Sequence, residues 1–145
     1  MLREMERVVK KEGLSRRTIV IAESDLRNPE KITPLGKREA MSLPASHFDA
    51  VVASGALEHA PLTETVRRLA RLLKPGGTFF NLGLRRSPVG ATLGMMYGVR
   101  PYKIADMRRA FERAGLEDIR TAKLSVEEFP ANLSRVAIIA RKKTF

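Results

Sequence analysis

The stretch from Leu43 to Gly77 constrains the fold more than any other part of the chain, because it reads without interruption as strand, turn, helix and reverse turn. Within it, Phe48 to Ser54 is a short apolar run rich in valine and alanine, which predicts a strand buried on both faces. The apolar residues that follow recur at helical spacing: Val66, Leu69, Ala70 and Leu73. The stretch therefore predicts a central parallel strand followed by an amphipathic helix.

The run Lys74 to Gly77 (KPGG) ends this helix and reverses the chain. Lys74 places a cation at the negative end of the helix, Pro75 cannot continue it, and the two glycines can adopt positive φ. The apolar segment after the turn, Thr78 to Leu82, predicts the next buried strand.

Before the central stretch, the sequence predicts one helix and two strands. A stripe made of Leu2, Met5, Val8 and Val9 predicts a helix of about 12 residues that ends at Gly13. The β-branched run Thr18 to Ala22 (TIVIA) predicts a buried strand, and Arg38 to Ser42 predicts a short one. Glu23 and Asp25 come at the carboxyl end of the TIVIA strand, where open α/β sheets bind ligands.

After the central stretch, the segment from Gly83 to Pro101 has three internal glycines and no clean period, and no element is predicted there. A helical stripe then comprises Ile104, Met107, Phe111 and Ala114 and stops at Gly115. Leu116 to Leu124 and Leu133 to Arg141 predict the last two strands. A chain of 145 residues with these elements predicts one domain spanning residues 1–145.

The chain is strongly basic, with 27 Lys and Arg against 16 Asp and Glu and a net charge of +11. The simplest interpretation of this charge is a surface exposed to solvent. A basic surface also attracts anions: RNA, anionic lipid or a small acidic substrate. The sequence has no RNA-recognition signature, so RNA remains possible from charge alone. There is no cysteine, which excludes disulfides and thiol nucleophiles. Without a membrane span or a secretory start, we expect a cytoplasmic protein.

The run LPxxxFDAVVxSxxLEHxP, the basic amphipathic helix and LLKPGG together resemble the second part of a class I S-adenosylmethionine-dependent methyltransferase of the methyltransferase type 11 kind. The resemblance implies an α/β, Rossmann-like sheet with helices on both faces and a terminal antiparallel strand pair. It also implies S-adenosylmethionine as cofactor, no metal, and methyl transfer to an unknown, small-molecule or lipid-like acceptor. The alternative is a non-catalytic methyltransferase-like module that binds RNA or a protein partner.

The family's glycine-rich GxGxG turn, which follows its first strand, is absent from this sequence. The resemblance therefore implies a domain that is truncated at its N-terminus and lacks the first strand and that loop. In the family this strand lies in the middle of the sheet. We expect either direct pairing of TIVIA with FDAVV, or an unfilled sheet edge through which the protein can associate with another chain.

Two alignments with the family remain open for the cofactor-binding acids. In one, TIVIA is the family's second strand, Asp25 or Glu23 accepts the ribose hydroxyls, Glu39 lies near the adenine amino group and Ala40 lies against the ring. In the other, Met1 to Gly13 is the helix after the second strand, and Asp25 meets the adenine. Asp25 is a cofactor-binding candidate in both alignments.

The segment from Ser54 to His59 (SGALEH) follows the central strand. In the family it borders the cofactor and sometimes the acceptor, which makes Ser54 and Leu57 cofactor-binding candidates. Glu58 and His59 form the acid-base pair and are the catalytic candidates. For His59, a structural role at the start of the helix is the alternative. Two histidines 12 residues apart, with no carboxylate-histidine pattern, predict no metal site.

Overall fold

A computed structural model of the protein describes residues 1–14 and 19–144. Its elements, in chain order, are α1 (Leu2–Lys11), β1 (Ala22–Ser24), β2 (Lys31–Pro34), β3 (Met41–Ser42), β4 (Phe48–Ser54), a 3₁₀ turn (Leu57–His59), α2 (Leu62–Leu72), β5 (Leu73–Leu84), α3 (Pro88–Tyr97), α4 (Ile104–Arg113), β6 (Leu116–Lys123), a 3₁₀ turn (Val126–Glu128), α5 (Ala131–Ser134) and β7 (Arg135–Lys142). Among these helices, none is both long and apolar enough to cross a membrane.

The larger sheet has four strands in the order β4-β5-β7-β6. β4 and β5 are parallel, with Val51 opposite Phe79, whereas β7 is antiparallel to both β5 and β6. The KPGG run lies within β5, and the pairing with β4 is irregular there because Gly76 has a φ of 77°. The predicted strand after KPGG and the terminal antiparallel pair are confirmed.

The core lies between this sheet and the helices α2 and α4. Both helices present the apolar stripes that their sequences predict, because residues three and four apart share one helix face. Phe111 of α4 is fully buried and meets Phe79 of β5 with ring centroids 5.0 Å apart. The other buried members of the cluster are Ala53, Leu57, Leu62, Val66, Ala70, Leu73, Met107, Ala110, Leu116, Ile138 and Ala140.

The position of β4 corrects the prediction of a central strand buried on both faces. Within the described residues β4 pairs only with β5, so it forms an edge of the sheet. Val52 is 69% exposed, while the adjacent Ala53 is buried in the core. An edge strand leaves one row of backbone donors and acceptors without partners. The expected unfilled sheet edge is therefore present, and association through it stays a prediction.

The N-terminal strands also differ from the prediction. Thr18 lies outside the described residues, and Ile19 to Ile21 adopt no regular element. The strand begins instead at Ala22, and β1 pairs antiparallel with β2 in a separate sheet of order β1-β2-β3. The described residues of this run, 19–22, thus do not form a buried parallel strand, and they do not pair with FDAVV. The chain forms a local antiparallel arrangement instead, whose short connections need no long crossover.

Helix α1 ends as predicted at a glycine cap. Gly13 has a φ of 71°, and the Leu14 amide donates to the carbonyl of Val9 (3.0 Å). The apolar stripe is less well packed than predicted, since α1 contains no buried residue and Val8 is 50% exposed.

Helix α3 occupies the segment in which the sequence predicted no element. The Ser87 side chain caps its first turn by accepting from the Gly90 amide (3.0 Å), and Pro88 fills the first helical position. Gly98, with a φ of 68°, ends it. The signals were present in the sequence as Ser-Pro and Gly, but the apolar residues of α3 surround the helix and give no period.

Candidate functional site

The carboxyl ends of the parallel strands β4 and β5 lie side by side and form the first part of the candidate site. Ser54 ends β4 and is exposed. Gly55 follows with a φ of 59°, and its amide donates to the carbonyl of Leu82 in β5 (2.9 Å). This turn directs the chain into the 3₁₀ turn Leu57–His59, which carries both catalytic candidates. A ligand at this end of the sheet would meet these residues.

Glu58 is fixed by a backbone contact. Its Oε1 accepts a hydrogen bond from the amide of Leu84 (2.5 Å), at the end of β5. Its Oε2 is buried without a partner among the described residues. Gly83 makes the approach possible, because a Cβ at that position would lie 2.9 Å from Glu58 Oε1. Glu58 therefore connects the 3₁₀ turn to β5.

A cavity of about 150 Å³ opens beside Glu58. It is lined by Gly55, Glu58, His59, Leu84, Tyr97, Val99 and Arg135. His59 and Tyr97 are exposed at this cavity, and Arg135 is partly buried. A Cβ built at Gly55 would lie 3.2 Å from the Arg135 guanidinium, so the glycine leaves room for this side chain.

Leu57 has no exposed surface and belongs to the core. Its side chain therefore cannot contact a cofactor in the structure as it stands. Its role as a cofactor-binding residue stays a prediction that would require a movement of the 3₁₀ turn.

The acidic candidates of the N-terminal sheet form a second group. Glu23 lies in β1, and Glu39 and Ala40 precede β3; all three are exposed. Asp25 is exposed as well, and its Oδ1 accepts a hydrogen bond from the amide of Arg27 (2.9 Å).

Arg68 joins this second group to the rest of the molecule. Its Nη1 donates to Glu30 (2.5 Å) and to Asn28 Oδ1 (3.2 Å), and its Nε donates to Glu64 (2.9 Å). Hydrogen bonds from Arg67 and from Arg68 lower the pKa of the Glu64 carboxyl below its ordinary value. Asn28 and Glu30 follow Asp25 closely in the chain, so Arg68 positions the turn that begins at Asp25.

The structure does not join the two groups directly. Within residues 1–14 and 19–144, no hydrogen bond or ion pair connects Asp25, Glu23, Glu39 or Ala40 with the segment Ser54 to His59. In the same part of the chain, no three His, Asp or Glu side chains are grouped as a metal site requires.

One charged residue that lines the cavity could not be found from the sequence. Arg135 begins β7, where a lone arginine in a basic chain gives no signal. Only the pairing of β7 with β5, which sets Arg135 opposite Leu84, places Arg135 at this cavity.

The contact between Glu58 and Leu84 leads to a prediction. Glu58→Ala leaves the Leu84 amide without its acceptor, and we expect a loss of about 1 to 2 kcal/mol in the free energy of unfolding. Glu58→Gln retains an acceptor oxygen and should lose less than half of that. Urea denaturation measures both variants. Equal losses would show that the carboxylate charge, and not the hydrogen bond, is what matters.

A comparison with known families supports a candidate site in this part of the chain. Residues 14–81 match the family described as methyltransferase domain. This segment, slightly less than half of the chain, is similar to the methyltransferase domain family. The matched residues comprise the N-terminal sheet, β4, α2 and most of β5, and therefore include all the candidate residues. The resemblance to class I S-adenosylmethionine-dependent methyltransferases is confirmed.

Solved structures show the same fold for the methyltransferase-like chain. The [4+2]-cyclase SpnF superposes with a TM-score of 0.70 at 18% identity, over 99% of this chain and 63% of its own. A putative sarcosine dimethylglycine methyltransferase from Galdieria sulphuraria gives 0.66 at 14% identity, over 96% and 64%. A SAM-dependent methyltransferase from Archaeoglobus fulgidus gives 0.65 at 16% identity, over 96% and 81%. The Rossmann-like fold is thereby confirmed. No curated protein sequence matches the chain.

The chain spans less than two thirds of the length of SpnF and of the Galdieria protein. SpnF is called a cyclase although it shares this fold, so the fold by itself does not determine the reaction.

Proposed function

We propose that the protein binds S-adenosylmethionine and takes part in transferring its methyl group to a small-molecule or lipid-like acceptor. One observation carries the proposal: the segment Ser54 to His59 stands at the carboxyl ends of two parallel strands and opens on a cavity, within a segment that matches the methyltransferase domain family. Ligands of open α/β sheets bind at this end.

The side chains of the candidate site fit the polar groups of the cofactor. Oδ1 of Asp25 is engaged by the Arg27 amide, but its Oδ2 has no partner among the described residues and the side chain is exposed. Such a carboxylate oxygen can accept a hydroxyl or an amino hydrogen. Ser54, at the carboxyl end of β4, offers an exposed hydroxyl in the first part of the site. The acids would hold the adenosine part, and the end of β4 would face the reacting part.

When bound, the cofactor supplies an activated methyl group for direct displacement. The residues of this chain would orient the acceptor and, where the acceptor must lose a proton, receive that proton. His59 is suited to receiving it because its imidazole is exposed at the cavity. Glu58 is suited to positioning, since one of its oxygens is engaged by Leu84.

Cofactor titration tests the proposal. We expect S-adenosylhomocysteine to bind the chain in isothermal titration calorimetry, and Asp25→Ala to weaken binding by about 1 to 2 kcal/mol, because its partner atoms lose an acceptor. Asp49→Ala is the matched control, since Asp49 is an exposed carboxylate at the opposite end of β4. An unchanged affinity of the Asp25 variant contradicts the assignment.

Glu39→Ala separates the two alignments in the same experiment. It should weaken binding only if Glu39 lies near the adenine, as in the alignment that places Asp25 at the ribose. In the other alignment the affinity of Glu39→Ala matches that of the unmodified chain.

A non-catalytic domain is the second candidate, and the free edge of β4 favours its protein-binding form. Val52 is exposed on this edge strand, which can pair with a strand of another polypeptide. Absence of heat with S-adenosylhomocysteine at millimolar concentration supports this candidate over the enzyme. RNA binding, which rests on net charge alone, would instead appear as an affinity that falls steeply with salt.

A further inference from the structure

The cavity beside Glu58 is lined by a cation, the guanidinium of Arg135, which has no protein partner in the part of the chain that the structure describes. Arg135 lines it, and among the described residues none forms a hydrogen bond or an ion pair with its guanidinium. The side chain is partly buried, so water compensates it less well than it does a surface arginine. A guanidinium in such a place is an electrostatic site for an anion.

The surroundings of Arg135 keep the guanidinium at the cavity. Its backbone is paired with Leu84 at the end of the antiparallel ladder between β5 and β7, so the base of the side chain is held beside the cavity. On the other side lies Gly55, where a Cβ would approach the guanidinium to 3.2 Å. The arginine therefore lies directly beside the turn that ends β4.

Among the described residues, no acid forms an ion pair with Arg135. Glu58 is the one acid among the residues that line the cavity, and its Oε1 is already bonded to the Leu84 amide. The other polar groups of the lining are His59 and Tyr97, which carry no negative charge at neutral pH. Arg85 is next to Leu84, and its guanidinium is directed to the carbonyl of Asn132 (3.4 Å).

We propose that Arg135 binds an oxyanion of the methyl acceptor, a carboxylate or a phosphate, and thereby selects acidic acceptors. The inference rests on the proposed function, because it takes this cavity to be the acceptor's site. Arginine suits such a group, since its planar fork donates two parallel hydrogen bonds to a carboxylate or a phosphate. A cavity of about 150 Å³ accommodates a small acceptor of this kind.

The test uses benzoate, phenyl phosphate and the neutral benzamide as probes on the full chain. Binding is followed by nuclear magnetic resonance of the arginine Nε–Hε signals. We expect benzoate or phenyl phosphate to shift the Arg135 signal and to bind about 10-fold or more tightly than benzamide, because hydrogen bonds to charged groups are the strong ones. Either anion supports the proposal, and their ranking distinguishes a carboxylate from a phosphate acceptor. If neither benzoate nor phenyl phosphate binds more tightly than benzamide, the proposal is overturned.

Two variants assign the effect to this side chain. Arg135→Gln should weaken the preferred anion about 10- to 100-fold, and Arg135→Lys should restore part of the affinity, because lysine retains the charge without the fork. Arg86→Gln is the matched control, since Arg86 is an exposed arginine near the same end of β5. An equal loss in the Arg86 variant would mean that net charge alone attracts the probe, and it overturns the proposal. The wild-type comparison of benzoate with benzamide stands even where a variant fails to fold.

A last comparison tests whether Arg135 binds the acceptor or the cofactor, because the cofactor has a carboxylate of its own. S-adenosylhomocysteine carries this carboxylate, whereas 5′-methylthioadenosine lacks it. If Arg135→Gln weakens the first ligand and not the second, the arginine serves the cofactor and the proposal is overturned. Equal affinities of wild type and variant for S-adenosylhomocysteine support it. If the wild type binds no S-adenosylhomocysteine, the proposed function fails, while the benzoate titration still reports on Arg135.

Discussion

Phe111→Ala is expected to lower the free energy of unfolding by about 3 to 5 kcal/mol, the range for removing a buried phenylalanine. Phe111 has no exposed surface, and its ring lies 5.0 Å from that of Phe79, which links α4 to the central strand β5. The substitution removes the apolar contacts and leaves a cavity that α4 and the sheet cannot both close. Since single domains are stable by only about 5 to 15 kcal/mol, this change removes a large part of the total.

Urea denaturation followed by circular dichroism measures this loss. Phe129→Ala is the matched control, because Phe129 is 68% exposed and its truncation should change the stability by less than about 0.5 kcal/mol. If both variants lose the same stability, Phe111 does not occupy the core position described. If Phe111→Ala loses less than about 1 kcal/mol, the packing between α4 and β5 is not what stabilises the domain.

The core of the fold could be predicted from the sequence because its signals are local. Phe111 lies in a stripe of period 3.6 that a glycine ends, and α4 forms as that pattern indicates. The same holds for α2 and for the strand after KPGG. The sequence patterns depend only on side chains within one element, so no knowledge of the remaining chain is needed.

The environment of β4 and of the TIVIA run could not be predicted in the same way. An apolar run indicates a strand, but its neighbours in the sheet decide whether it lies at the centre or at the edge. β4 has one neighbour among the described strands, and Val52 is exposed as a result. The residues after TIVIA pair with β2 nearby in the chain, and this local pairing replaces the predicted parallel one.

The candidate site was predictable only where it follows a strand. The segment Ser54 to His59 follows an apolar run and borders the cavity as its position indicates, whereas Arg135 was missed and Asp25 stays a prediction. A residue at the start of the last strand reaches the site through the pairing of β7 with β5, which joins positions 51 residues apart, Leu84 and Arg135. No local pattern contains that information.

Arg68→Ala is expected to detach the N-terminal sheet from α2. Arg68 donates to Glu30 (2.5 Å) and to Asn28 (3.2 Å), and these are the side-chain hydrogen bonds that join residues 19–42 to α2 in the described part of the chain. The Arg68 side chain is 30% exposed and that of Glu30 is 29% exposed, so water compensates their separation only in part. We expect a local loss of about 2 to 3 kcal/mol, the upper range for hydrogen bonds to charged groups.

Hydrogen exchange measures this loss at the amides of Asn28, Lys31 and Leu43, which hydrogen-bond within this region. Where these amides exchange only after the N-terminal sheet detaches from α2, their exchange should accelerate about 30- to 150-fold, since every 1.4 kcal/mol corresponds to a factor of ten. Arg67→Ala is the matched control: Arg67 shares the contact with Glu64 but lies on the exposed side of α2. Equal acceleration in both variants would assign the effect to Glu64 and would contradict a positioning role for Arg68.

The same variant connects stability to the proposed cofactor site. Asp25 begins the turn that Arg68 fixes through Asn28 and Glu30, so a detached turn no longer places its carboxylate. We therefore expect Arg68→Ala to weaken S-adenosylhomocysteine binding although Arg68 is not itself a candidate for contact with the cofactor. Arg67→Ala should retain the affinity. A loss of affinity in Arg68→Ala without faster exchange would instead mean that Arg68 contacts the cofactor directly, and the arginine would then be a binding residue.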